Sequence, residues 1–230
     1  MIMTLGQYRE IYRINHLNID EVDRVALSVC FYFGFSHEKV NQMDPNKFLN
    51  YSKKLLKHYD VKKPSWHRSI FIKDVGEMTF GMFIEIQHWL RVNKTEDFEA
   101  VYVREIHKVA ASLLKKRLNH RVQSLKLLEC KAGNILYDVK LLIASYNSLL
   151  KEYPLLFNEE KEKEKDKKNK SPDFEHYFIK SYGWFFAAKS IAEHEGIKLK
   201  EVYDLPIRQA LNDLVYLKAK QDYDKHLMKQ

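Results

Sequence analysis

Glycine and proline are scarce: 230 residues include only 7 of the former and 5 of the latter. A turn-dense β-protein draws heavily on both, so the chain should contain few, long elements, and long elements are usually helices. Only two cysteines occur, Cys30 and Cys130. Both sit in apolar patterned stretches and read as buried, reduced thiols of an intracellular protein. No apolar run approaches the ~20 residues of a membrane span. The opening MIMTLGQYREIYRI has neither a basic nor an apolar signal region, so no secretory signal is expected and folding should occur in a cytoplasm. Phosphate-cradling glycine loops and the common nucleophile motifs are missing too, which argues against an enzyme.

What the chain does contain is 45% hydrophobic and 30% charged residues, the balance of a globular protein with a core. Aromatics are plentiful, with 14 tyrosines and 13 phenylalanines. One fifteen-residue run, 158–172 (NEEKEKEKDKKNKSP), has nothing to bury and cannot offset its conformational entropy by packing. It reads as a charged linker between a helical domain, 1–157, and a C-terminal helical hairpin, 173–230. The net charge of +8 is uneven, because residues 61–157 carry 16 Lys/Arg against 10 Asp/Glu. The excess is densest at Lys115, Lys116, Arg117, Arg121, Lys126 and Lys131. Such a stretch is a solvated helix face, or it meets an acidic surface or nucleic acid. It lacks the interleaved aromatics of a single-strand platform, so any DNA contact would be to phosphate, without sequence preference.

Helical spacing is legible along most of the chain. Leu5, Tyr8, Ile11 and Tyr12 mark a first helix. Asp20 caps a second, with Val22, Val25, Ala26, Val29, Cys30 and Phe33 inward and Gly34 as its stop. Ser36 caps a short third helix to Met43. Asp44-Pro45 opens a fourth through His58, its buried side formed by Leu49, Leu55, Leu56 and Tyr59. The pattern then breaks: Ser69–Lys73 is β-prone, Asp74–Glu77 turn-like and Met78–Phe80 a return strand. A small β-hairpin near 68–80, carrying Phe71, is therefore expected among the helices. Helical spacing resumes from Phe80 to Val92. Thr95 opens a long helix to Arg117 with Val103, Ile106, Val109, Ala110, Leu113 and Leu114 inward, and others cover Val122–Cys130 and Asn134–Tyr153. Ser171-Pro172-Asp173 opens a helix to about Glu195, given an exceptionally aromatic side by Phe174, Tyr177, Phe178, Tyr182, Phe185 and Phe186. Asp204-Leu205-Pro206 starts the last helix, with Ile207, Ala210, Leu211, Leu214 and Leu217 as its stripe. A hairpin of about forty residues shields so many aromatics poorly. These rings should dock on another surface, in the same chain or a neighbour.

Ten histidines prompt a search for metal ligands. Glu85-Ile86-Gln87-His88 places a carboxylate and an imidazole on one helix face, but a di-iron bundle needs a second such pair and two further carboxylates. Glu193-His194-Glu195 is too compact, since adjacent helical residues point about 100° apart. No metal or cofactor is expected.

Several segments together resemble a known group. Met78-Thr79-Phe80-Gly81-Met82-Phe83-Ile84-Glu85 is similar to the Thr-x-Gly-x-aromatic/aliphatic-x-acid segment of tail-assembly-chaperone-like proteins of tailed phages. Ile106-His107-Lys108-Val109-Ala110-Ala111 resembles the next helix of that family. Tyr182-Gly183-Trp184, Ile191-Ala192, Val202, Leu205-Pro206, Leu211, Leu214, Tyr216 and Lys218 resemble the C-terminal segment of virion-morphogenesis proteins of crAss-like phages. The resemblance implies a non-enzymatic virion protein assembled in the host cytoplasm. It would be a ring-type homo-oligomeric subunit of the tail or head–tail neck, or a tail assembly chaperone. Its partners would be other tail or neck proteins, met through Phe71, Phe174, Phe178, Tyr182, Trp184, Phe185 and Phe186. The alternative is a nucleic-acid-binding accessory protein using 115–131.

Overall fold

The structure, a computed structural model, describes residues 3–59, 70–91, 97–115, 119–157 and 173–228, with side chains omitted at 58 and 173–181. The charged run 158–172 lies outside the described residues, as do Lys116, Arg117 and the first residues of the expected hairpin. Helices dominate. In chain order they are α1 (Leu5–Asn15), α2 (Glu21–Phe33), α3 (His37–Asn41), α4 (Pro45–Tyr59), α5 (Phe80–Trp89) and α6 (Phe98–Ser112). There follow α7 (His120–Glu129), α8 (Ala132–Lys151), α9 (Pro154–Phe157), α10 (Asp173–Glu195), α11 (Leu199–Val202) and α12 (Ile207–Leu227).

Capping chemistry explains many of these boundaries. Thr4 and Gln7 exchange side chain-to-backbone bonds at the start of α1. Asp20, Ser36 and Asp44 accept from the first-turn amides of α2, α3 and α4. Gly34 and Gly196 end α2 and α10 at φ of 69° and 67°, a conformation that costs glycine little. At the start of α6 the Asp97 carboxylate accepts from the amides of Glu99 and Ala100, and Thr95, the expected cap, lies outside the described residues. That helix also ends at Ser112 rather than at Arg117.

The expected β-hairpin is not formed, because among the described residues its two arms pair elsewhere. Phe71 bridges antiparallel to Leu114, and the Lys115 amide donates to the Ile70 carbonyl at 3.1 Å. Thr79 bridges to Pro206. The intervening Val75–Glu77 is a 3-10 turn capped by the Asp74 carboxylate. Two-strand pairing alone is marginal, and each arm instead finds backbone partners far along the chain, at 114–115 and 206.

The chain divides into two compact units. Met1–Phe71 and Trp89–Leu141 form one; Ile72–His88 and Leu142–Gln230 form the other. In the first, α6 packs on α7, and α1 packs on α2, α6 and α7. Gly6 lets α1 approach α7 closely: a Cβ there would lie 3.2 Å from the Leu128 carbonyl oxygen. Met3 and Leu5 exchange backbone hydrogen bonds with Ala132 and Cys130. The α6 expectation holds at every inward position, since Val103, Ile106, Val109, Ala110, Leu113 and Leu114 are all buried. On α4, by contrast, only Leu55 of the three leucines is buried, with Leu49 and Leu56 at 50% and 66% exposure. Val22 on α2 is likewise exposed. The thiols also depart from expectation: Cys30 is half-buried and Cys130 exposed. Cys130 is the residue that ends α7, beyond the inward stripe.

The second unit joins two distant stretches by reciprocal capping. The first amides of α5 have no partner within their own helix, and Phe80 and Gly81 donate instead to the carbonyls of Leu205 and Tyr203 at 2.9 and 2.8 Å. In return the Ile207 amide opening α12 donates to the Met78 carbonyl at 3.0 Å. The C-terminal helices therefore share one unit with 72–88 and 142–157. α12 packs on α9 and α10, and α10 on α11.

Candidate interaction surfaces

Helix α10 has two faces of opposite character. Ala188 and Ile191 are fully buried, and Trp184, one turn earlier on the same side, is half-buried. The indole stands edge-on to Phe83 and Phe80, at centroid distances of 5.0 and 6.1 Å. Phe83 also meets Tyr146 and Phe157, and the Gln87 side-chain amide donates to the Tyr146 hydroxyl. Burial pushes the Tyr146 phenol well above its ordinary pKa. Trp184 thus belongs to an aromatic core within its own chain. Phe71 is also core, at 0% exposure, and so offers no contact surface.

The other face of α10 turns outward. Tyr182, Phe185 and Phe186 are 50%, 52% and 59% exposed, and with Lys189 they line a shallow depression. The spacing explains the split: 184, 188 and 191 stack on one side of a 3.6-residue helix, which sends 182, 185 and 186 elsewhere. Phe174 and Phe178 lie earlier on the helix, and their side chains are outside the described set.

A second mixed surface lies on α7, whose N-cap is Asn119. Ser124 and Leu127 are buried against the first unit, while Arg121 and Lys126 are exposed, as are Lys115 and Lys131 flanking the helix. The structure adds what charge counting did not suggest: Val122 and Leu125, between those cations on the same face, are 47% and 55% exposed. The sequence signal was present in two apolar residues three apart, but either side of α7 could have been the buried one.

Polar groups also occur inside the first unit. His107 on α6 is 7% exposed, and its Nδ1 has no hydrogen-bond partner. Burial, reinforced by the nearby Arg9 and Lys108 charges, holds its pKa down at about 4. Lys108 lies over the Trp89 ring at 4.4 Å and pairs with Glu105 at 2.7 Å, while Trp89 stacks on His120. His120 Nε2 lies 3.2 Å from the Ser112 hydroxyl and 3.1 Å from the Lys108 carbonyl. This arrangement is structural cross-linking of α6 to α7. Glu85 and His88 have metal-ligand spacing, and no group of three His, Cys, Asp or Glu that could hold a metal ion occurs among the described residues. No described helix is long and apolar enough to cross a membrane.

Gly81 and Trp184 therefore have structural roles. A Cβ on Gly81 would lie 3.0 Å from the Tyr203 carbonyl oxygen. No family model matches this chain, and neither does any curated protein or solved structure.

Proposed function

We propose that this chain is a non-enzymatic assembly protein whose task is a protein–protein joint made through the outer face of α10. The observation that carries the reading is the run of exposed rings, Tyr182, Phe185 and Phe186, on a helix whose opposite side is anchored in a core. Large rings half in water are costly alone and favourable at a contact, where aromatic anchors supply much of the binding energy. Anchoring through Trp184 holds the helix in place, so little ordering entropy remains to be lost when a partner arrives.

The resemblance to phage morphogenesis proteins gives that joint its context: a subunit of a tail or head–tail neck, in contact with other virion proteins and with copies of itself. A tail assembly chaperone would use the same face transiently. Mass spectrometry of purified virions separates the two, because a chaperone is absent from the finished particle. Replacing Phe185 and Phe186 by serine should abolish incorporation or partner capture while the isolated chain keeps its helical spectrum. Unchanged incorporation of that variant would remove the proposal.

Exposed Lys115, Arg121, Lys126 and Lys131 favour a second reading, nucleic-acid binding. Phosphate neutralisation releases counterions, so duplex DNA affinity would fall steeply with salt. Absence of salt-dependent binding at low ionic strength excludes it.

A further inference from the structure

We infer that the outer face of α7 is a self-association surface, on which a second copy of this chain packs antiparallel about a two-fold axis through Leu125. This goes beyond the α10 joint and involves none of its residues. The argument begins with spacing. Arg121, Leu125 and Glu129 fall four residues apart, so they form one ridge along the exposed side of the helix, with Val122 beside it. Leu125 is 55% exposed and Val122 47%. Arg121 and Glu129 lie about 6 Å to either side of Leu125 along the axis, at a rise of about 1.5 Å per residue.

That ridge is self-complementary. An isologous contact sets residue i on residue j and j on i. With Leu125 on its own copy, Arg121 of each chain falls opposite Glu129 of the other. Two ion pairs then bracket an apolar centre built from two leucines and two valines. The exposed Lys126 of each copy lies at its edge, a repulsion that the paired Arg121 and Glu129 charges must outweigh. A phosphate backbone offers those apolar side chains no complementary surface, and a uniformly acidic partner would repel Glu129.

The charges also sit oddly for an isolated helix. The N-terminal end of a helix carries partial positive charge and the C-terminal end partial negative, so Arg121 in the first turn and Glu129 in the last are each at the unfavourable end. Antiparallel pairing brings each beside its opposite and compensates both. A ten-residue helix is smaller than the roughly 800 Å² per partner of a standard interface, so the association is weak and salt-sensitive unless other contacts add to it.

Charge exchange tests the geometry. Light scattering across a concentration series at low salt should show a monomer–dimer equilibrium. Arg121→Glu or Glu129→Arg alone should weaken dimerisation roughly 5- to 10-fold or more, since each replaces two attractions by two repulsions. The double exchange, which keeps the net charge, should restore it. In a Cys130→Ser background, Leu125→Cys should form an intermolecular disulfide under mild oxidation. A chain that stays monomeric at all concentrations overturns the inference, and so does one that gains mass only when duplex DNA is added. Single reversals that associate like the parent, or a double exchange that fails to rescue, overturn it equally. The Phe185/Phe186 serine variant should dimerise normally, which keeps this result separate from failure of the α10 joint.

Discussion

The indole of Trp184 meets the ring of Phe83 edge-on, with centroids 5.0 Å apart and planes at 89°. Edge-to-face geometry places the positive ring edge against the negative face of its partner, adding to the area buried. This contact ties α10 to α5, which are about a hundred residues apart in sequence, and so makes the aromatic helix part of a core.

Trp184→Ala should therefore destabilise the second unit by about 2 kcal/mol, the cost of truncating a large, half-buried ring. Denaturant unfolding followed by circular dichroism reads the shift in midpoint. A change below about 0.5 kcal/mol, the range of ordinary surface substitutions, would mean that the ring is not a structural anchor.

Gly81 sets two physical effects against each other. Alanine is favoured over glycine inside a helix by about 1 kcal/mol. Here its Cβ would meet the Tyr203 carbonyl oxygen at 3.0 Å and the Tyr203 Cβ at 3.3 Å. Crowding of that kind costs about 1–3 kcal/mol, so Gly81→Ala should be net destabilising. A raised Tm would show that the Tyr203 loop yields freely.

His107 should make stability depend on pH. Its folded pKa is held at about 4, below the ordinary value of 6.5. Between those values the unfolded chain binds a proton that the folded chain refuses, so stability falls as pH drops from about 6.5 to about 4 and this contribution levels off below. His107→Gln should flatten that part of the profile, as measured by urea midpoints across pH. A profile unchanged by the substitution would remove His107 as its source.

Phe185→Ser together with Phe186→Ser should leave stability within about 0.5 kcal/mol, because both rings are more than half exposed. The same pair should lose partner binding. Unfolding of the variant would instead mean that these rings act in the fold.

Helix content was readable because periodicity and caps are local. Asp20, Ser36, Asp44, Gly34 and Gly196 act within a few residues of themselves, and the apolar spacing of α6 named its buried side chains. Strand pairing was not readable, because Phe71 bonds to 114 and Thr79 to 206, far along the chain. The exposed side of α4 misled for a similar reason: Leu49 and Leu56 fit a helix, but spacing does not say which turn a neighbour reaches. At the candidate surfaces, sequence marked out the aromatic helix and named Tyr182, Phe185 and Phe186, which the fold leaves exposed. It could not separate Trp184 from them, nor place Val122 and Leu125 outside.

What the amino-acid order determined alone is the run of helices, their caps and the concentration of rings and positive charge in particular segments. These follow from backbone sterics and side-chain spacing over one or two turns. Tertiary packing alone decided which rings became core and which remained on the surface. Burial depends on partners distant in the chain: Phe83 lies a hundred residues from Trp184, and the amides of Phe80 and Gly81 are satisfied only when residues 203–205 arrive.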